Sequence, residues 1–139
     1  MIQIMVFVSY VAGARRAIMF STDQLKVSTA DGHNFTLLEP FTYLCKDGTI
    51  IIVPEGSQSD GASTPQILWN TLPPFGVYFK AAFLHDFLYR ATEFPKEFCD
   101  NVLLEAMECL GVNQIEADTI YEGVHLGGWM AFNEDRKGE

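Results

Sequence analysis

The pattern of apolar and polar positions changes once along the chain, near Pro54. Before it, short runs rich in Phe, Thr, Leu and Ile predict β-strands at 25–29, 34–38, 41–44 and 49–53. Lys46-Asp47-Gly48 separates the last two runs and is a typical turn sequence, so residues 41–53 are predicted to form a hairpin. The small polar residues of 55–64 then predict a loop.

Behind Pro54 the apolar positions follow a helical period. A short helix is predicted from Thr64-Pro65 through Trp69, and three longer helices at about 77–91, 95–110 and 113–134, with Asn113 as the N-cap of the last. The pair Gly127-Gly128 interrupts the third, and because paired glycines weaken a helix they indicate close packing or a kink. The fold class predicted is α+β, with a small antiparallel N-terminal sheet of hairpins followed by a three-helix C-terminal half.

The N-terminal residues 1–14 are nearly all apolar and are followed by Arg15-Arg16. A secretory signal would carry its positive charges before the apolar run, and the run is short for a membrane span. Three interpretations stay open: a core or edge strand, a weak membrane anchor, or a translated leader ahead of a natural start at Met19. We favour a leader or loosely attached segment at 1–18 and a single domain at 19–136.

The composition and net charge of the chain limit the kinds of partner that it is expected to bind. The chain has 139 residues, 48% of them hydrophobic, and a formal net charge of -9. That charge argues against binding to nucleic acid or anionic membranes, and membrane association is expected only if residues 1–18 are native. Three cysteines without a C-x-x-C pair predict reduced, partly buried thiols at Cys45, Cys99 and Cys109.

The dyad His85-Asp86, followed by Tyr89, lies inside the apolar helix predicted at 77–91. Polar groups buried there need partners, because burial of an unpaired ion is costly. In one interpretation His85 is a core histidine and Asp86 forms an exposed i,i+4 pair with Arg90. In the other, His85 is a general base, and Asp86 holds a cation or orients a partner.

Asp100 lies in the first turn of the second helix, where a carboxylate also suits the helix dipole. It shares a row with Leu103 and Met107, however, so it points towards apolar neighbours. The connection at 91–94 is short and makes the first two helices antiparallel neighbours. We therefore expect a His85–Asp100 or Tyr89–Asp100 contact, which would fix the imidazole tautomer and raise its basicity. The predicted catalytic residues are His85, Asp86, Asp100 and Tyr89.

The loop Ser59-Asp60-Gly61-Ala62-Ser63 is the second candidate site. Its backbone N–H groups, ahead of Pro65, suit an anion or an oxyanion. The alternative is that Asp60 and Ser63 satisfy their own loop and cap the next helix. The predicted binding loop is Ser59, Gly61 and Ser63, and the predicted metal ligands are Asp60 and Asp86. Whether a cofactor is bound stays open, and a divalent cation such as calcium or zinc is the candidate.

Two other histidines are interpreted as structural or solvated. His125 lies on a stripe with Tyr121 and Trp129 on the third helix, and aromatic stripes usually face a core. The alternative interpretation of His125 is a ligand in a metal site. His33 lies beside a turn and is expected to be solvated.

Several motifs in order resemble a small phage and prophage family, the domain of unknown function 1353. They are S-D-G-A-S-T-P, L-P-P-F-G, A-A-F-L-H-D-F-L-Y-R and Y-x-x-V-x-x-G-G-W, and they lie between about residues 20 and 130. The family's Asp-x-Ala-Ser-x-Pro loop and His-Asp-x-x-Tyr helix fall here on Asp60, Ala62, Ser63, Pro65, His85, Asp86 and Tyr89. The resemblance implies a bacteriophage or prophage origin, with the host cytoplasm or the virion as location, and supplies no activity.

A second resemblance covers five residues. His-Asp-x-x-Tyr on a helix, here His85, Asp86 and Tyr89, is similar to the catalytic helix of secreted phospholipase A2. In that family the histidine activates water and the aspartate holds calcium. This chain lacks the family's disulfides and its Gly- and Cys-rich calcium loop, so the likeness is an analogy.

Two functional hypotheses follow. The first is a hydrolase acting on a cell-envelope substrate, a lipid ester or peptidoglycan, with His85 as general base. The alternative is a non-enzymatic tail, capsid or morphogenesis protein whose partners are other virion proteins. In that case the polar residues fix the fold, and an exposed apolar patch, with Trp69 and Phe75, would dock on the partner.

Overall fold

The computed structural model describes residues 19–22, 25–32, 34–59, 78–91, 93–129 and 132–133. Within these residues the N-terminal half contains five short strands, β1 Val27–Ser28, β2 Phe35–Leu37, β3 Phe41–Leu44, β4 Ile50–Val53 and β5 Gln58–Ser59. Three of them form an antiparallel sheet in the order β1-β2-β5, and the other two form the pair β3-β4. Three helices follow, so the predicted α+β fold is confirmed.

The β3–β4 hairpin confirms the prediction for residues 41–53. Phe41 pairs with Val53 and Tyr43 with Ile51, and all four side chains are buried. Alternate residues of β4 face outward, as the period of a strand requires. In the turn, Gly48 has φ +94°, a conformation that a residue with a side chain rarely adopts.

The loop prediction for 55–64 is wrong at residues 58–59, which form strand β5. In the antiparallel register Ser59 pairs with Phe35 and Gln58 with Thr36 of β2. The small polar side chains of 55–59 predict a loop locally, whereas the pairing depends on β2, more than twenty residues away in the chain. The rest of the predicted loop, together with residues 1–18, His33 and the short helix at 65–69, lies outside the described residues.

The three helices are α1 Tyr78–Arg90, α2 Lys96–Cys109 and α3 Gln114–Gly127. Asn113 caps α3, as predicted, because its side chain accepts hydrogen bonds from Ile115 N and Glu116 N. Gly127-Gly128 interrupts the third helical region as predicted, since α3 ends at Gly127. Helix α2 is in the middle and packs against both α1 and α3.

Among the described residues, a hydrophobic cluster joins the strands and the helices. Phe41 of β3 meets Phe83 of α1 edge to face, with ring centroids 6.4 Å apart. The three cysteines are free, with Cys45 and Cys99 buried and Cys109 partly buried. In the described part of the chain, every helix is too short or too polar to span a membrane.

Candidate functional site

A buried carboxylate, Asp100 of α2, is the centre of the candidate site. Its exposed fraction is 0%. Oδ1 lies 2.8 Å from His85 Nε2 and accepts a hydrogen bond of 2.7 Å from the Tyr89 hydroxyl. Oδ2 accepts from Lys96 Nζ at 2.7 Å and lies 3.2 Å from His125 Nδ1. These five residues are called the Asp100 cluster below.

The cluster follows from helical spacing on two neighbouring helices. His85 and Tyr89 are four residues apart on α1, so both side chains leave the same face, with ring centroids 4.1 Å apart. Lys96 and Asp100 have the same spacing on α2. Because α1 and α2 pack together, the expected His85–Asp100 and Tyr89–Asp100 contacts are both made, and these two predictions are confirmed.

Lys96 is a member of the cluster that sequence reasoning missed. It is only 4% exposed, and its ammonium donates to Asp100 and to the backbone carbonyls of Val124 at 3.1 Å and His125 at 2.9 Å. These carbonyls belong to the last turn of α3, where a cation also suits the helix dipole. The i,i+4 spacing from Lys96 to Asp100 was the signal in the sequence that pointed to this contact.

His125 connects the cluster to the surface. Its side chain is 37% exposed, whereas the side chains of His85, Tyr89 and Asp100 are fully buried. The imidazole stacks on Tyr121 with ring centroids 5.1 Å apart. The structural interpretation from the aromatic stripe did not include this contact with Asp100, because the contact depends on how α3 packs against α2.

Asp100 is ionised at neutral pH. Burial by itself would raise its pKa, but hydrogen bonds from His85, Lys96 and Tyr89 outweigh burial and lower the pKa to about 2. An ionised carboxylate only accepts hydrogen bonds, so His85 Nε2 must be the donor in their contact.

His85 is the neutral partner of this pair. Burial lowers the pKa of its imidazole below the ordinary value, although the hydrogen bond to Asp100 opposes that shift. With the proton held on Nε2, the acceptor lone pair of the neutral ring is on Nδ1. The arrangement therefore fixes one tautomer and gives the ring a basic nitrogen that faces away from Asp100.

Asp86 is buried, so its interpretation as an exposed pair with Arg90 is wrong. Its exposed fraction is 1%, and it accepts a hydrogen bond from the Ser59 hydroxyl. Strand β5 packs against α1 and brings Ser59, itself 5% exposed, to this carboxylate. The structure thus places one residue of the predicted binding loop against the predicted dyad.

The remaining loop residues, Asp60, Gly61 and Ser63, lie outside the described residues. Within the ranges that the structure describes, no group of three or more His, Cys, Asp and Glu side chains is arranged to hold a metal ion. A metal site at Asp60 and Asp86 therefore stays a prediction.

Comparison with known proteins gives one family. Residues 35–124 match the family described as protein of unknown function, DUF1353. The matched region runs from β2 into α3 and contains all of the Asp100 cluster except His125. No curated protein and no solved structure matches the chain.

Proposed function

The chain belongs to the DUF1353 family, whose function is unknown, and we propose that it is a hydrolase in which His85 is the general base. The observation that carries the proposal is the 2.8 Å contact between His85 Nε2 and the buried Asp100 carboxylate. A histidine held in one tautomer by an aspartate is a recurring device for activating water or a hydroxyl group.

In the proposed reaction, His85 Nδ1 takes a proton from a water molecule while the water oxygen attacks the carbonyl carbon of an ester or amide. The resulting imidazolium is stabilised by Asp100, which stays ionised. As the tetrahedral intermediate re-forms its carbonyl, the bond from the acyl carbon to the leaving oxygen or nitrogen breaks, and His85 returns the proton to that leaving alkoxide or amine. Tyr89 donates to the same oxygen of Asp100 as His85 and so keeps that carboxylate oriented.

Asp86 has a supporting role in this proposal. Its carboxylate is next to His85 in the chain and is tied to β5 through Ser59. This bond ties α1 to β5 at the residue that follows the base. The hypothesis of a calcium or zinc ion at Asp60 and Asp86 belongs with the same proposal and is checked by adding either metal or a chelator.

Substrate must gain access to a covered base. His85 has an exposed fraction of 0%, so the proposal requires an opening movement before the carbonyl can reach Nδ1. Diethyl pyrocarbonate is expected to modify His125, which is 37% exposed, faster than His85. Equal rates for the two rings would mean that His85 is not shielded in solution.

The proposed substrate class is a cell-envelope component, either a lipid ester or peptidoglycan. It is supported by the resemblance to a phage and prophage family, because a phage must pass the host envelope. The test is to incubate purified protein with phospholipid micelles and, separately, with purified sacculi, and to measure the release of fatty acid from the first and of soluble peptide from the second. Calcium, zinc and EDTA are varied in parallel.

A second candidate function is a non-enzymatic virion or morphogenesis protein. It is supported by the burial of the whole His85–Tyr89–Asp100 network and by two exposed apolar side chains on β4, Ile50 at 62% and Ile52 at 60%. An apolar outer face of this kind suits contact with another protein. For a virion protein, mass spectrometry of purified phage particles that encode the chain is expected to detect it in stoichiometric amounts. The purified protein is then expected to hydrolyse neither substrate.

A further inference from the structure

Lys96 has no role in the proton transfers described above. It is a charged side chain on α2 with an exposed fraction of 4%, and burial of an ammonium group is unfavourable unless its partners replace the lost water. An ammonium group has three N–H donors. The structure gives Lys96 three oxygen acceptors, so each donor has a partner.

The positions of the three acceptors are informative. One is Oδ2 of Asp100, at 2.7 Å. The other two are the backbone carbonyls of Val124 and His125, in the last turn of α3. Lys96 therefore links the Asp100 carboxylate to the backbone of α3. This link does not depend on the side-chain rotamers of α3.

The two oxygens of Asp100 have separate partners. Oδ1 contacts α1, through His85 and Tyr89. Oδ2 contacts Lys96 at 2.7 Å and His125 at 3.2 Å, and the His125 side chain is partly exposed. Without Lys96, the shorter of the two contacts at Oδ2 would be lost, along with a buried positive charge that balances the carboxylate.

We infer that Lys96 is a positioning residue for His85, which holds Asp100 ionised and in place and thereby fixes the ring nitrogen of His85 that carries the proton. This inference rests on the proposed role of His85 as a base. Its readout, the tautomer of His85, does not require turnover, so it can be tested even if the protein hydrolyses nothing.

The experiment is ¹⁵N NMR of the histidine rings at pH 7 in wild type, Lys96→Met and Lys96→Arg. Wild type is expected to show His85 as a single Nε2–H tautomer with a slowly exchanging ring proton. Lys96→Met keeps the length of the side chain and removes its charge, so the slow Nε2–H signal is expected to be lost. Lys96→Arg retains the charge and is expected to retain the signal.

The matched control is Lys26→Met, because Lys26 has a 66% exposed side chain paired with Glu39 at 3.4 Å. It is expected to leave the His85 signals unchanged. The inference is overturned if folded Lys96→Met shows the same single tautomer and the same slow proton as wild type.

A wild-type measurement covers the case in which Lys96→Met does not fold. Acetylation with a limiting reagent, followed by mass spectrometry, compares Lys96 with the exposed Lys26 in one sample. Lys96 is expected to react far more slowly than Lys26. Equal reactivity would show that the Lys96 ammonium is not held by Asp100 and the α3 carbonyls, which also overturns the inference.

Discussion

A carboxylate removed from water is tolerated only where other groups replace its hydration, and Asp100 has four such groups. Removing one of these groups has a larger effect on stability than its hydrogen bond alone suggests. Replacement of any one donor leaves a buried negative charge with less compensation, so the loss exceeds the value of an ordinary hydrogen bond. At the scale of single residues, stability and the proposed chemistry therefore depend on the same carboxylate.

Tyr89→Phe tests the hydrogen bond from α1 to Asp100. The change removes the hydroxyl that donates at 2.7 Å to a buried anion, and we expect a loss of about 1.5–3 kcal/mol in the free energy of unfolding. The matched control is Tyr121→Phe, which removes a 3.1 Å contact with the exposed Asn101 and is expected to cost less than about 0.5 kcal/mol. Urea denaturation measures both. Equal losses would contradict the account.

Stability should depend on pH in two windows. The pKa of His85 is lowered in the folded state, so the unfolded chain binds a proton more readily and stability falls as pH drops below about 6.5. The pKa of Asp100 is lowered to about 2, so its contribution, on the order of 2 kcal/mol, is present above about pH 4 and is lost between about pH 4 and 2.

The two windows are separated by substitution. His85→Gln is expected to remove the change below about pH 6.5, and Asp100→Asn to remove the change between about pH 4 and 2, when urea midpoints are measured against pH. Each variant is compared with wild type at every pH. A wild-type profile that is flat from pH 7 to 4 would contradict the buried neutral state of His85.

At the scale of elements, the β3–β4 hairpin is attached to α2 through Glu105. This carboxylate accepts from the Tyr43 hydroxyl at 2.6 Å and from the backbone N–H of Lys46 at 3.2 Å. The pKa of Tyr43 is raised by burial and then by this hydrogen bond, so the phenol remains the donor. Where the hairpin meets α2, the Glu105 carboxylate therefore takes the place of a backbone carbonyl as acceptor for the Lys46 N–H.

Glu105→Gln tests that attachment. The amide keeps one acceptor and loses the charge, and we expect a loss of roughly 1–2 kcal/mol in unfolding free energy because bonds to a charged group are weakened. Glu108→Gln on the exposed side of α2, where the carboxylate accepts a long 3.4 Å bond from Gln114, is the control and should be nearly neutral. The comparison uses thermal or urea unfolding, and a neutral Glu105→Gln would show that apolar packing alone holds the hairpin.

The glycine pair at the end of α3, Gly127 and Gly128, gives a second test of how the elements pack. A Cβ on Gly128 would lie 2.4 Å from the Val124 carbonyl oxygen and 3.0 Å from the Tyr89 hydroxyl, whereas one on Gly127 would meet nothing within 4 Å. Gly128→Ala is expected to destabilise by roughly 1–3 kcal/mol, and Gly127→Ala to be neutral or to stabilise by up to about 1 kcal/mol. Equal effects in urea unfolding would rule out the close approach of α3 to Tyr89.

Local sequence patterns predicted most helices and strands, because the turns, caps and breaks that bound them are formed by residues close together in the chain. The turn at Lys46-Asp47-Gly48, the cap at Asn113 and the breaks at the glycines each act within a few residues. Strand β5 escaped prediction because its pairing partner is distant in sequence. The His125–Asp100 contact and the bonds from Lys96 to the carbonyls of Val124 and His125 escaped for the same reason, since they depend on the packing of α3 against α2. The Lys96–Asp100 contact is local, with an i,i+4 spacing that the sequence shows.

At the scale of the whole molecule, the middle position of α2 explains why the site forms there. Its first turn faces α1 on one side and the end of α3 on the other, so Asp100 can accept from both. The sequence predicted the contacts of His85 and Tyr89 with Asp100, from the short connection between α1 and α2 and from the helical spacing of these residues. It contained no comparable constraint on α3, whose approach depends on side-chain packing and on Gly128.

The central claim is tested most directly by one rate comparison. Product release from phospholipid micelles and from sacculi is measured for wild type, His85→Gln and the exposed-site control Asp118→Asn, each verified as folded by thermal melting. Wild type and Asp118→Asn are expected to turn over one of the two substrates, with a rate at least about 100-fold lower in His85→Gln. No turnover by wild type, or a folded His85→Gln that matches it, would contradict the assignment of His85 as the base.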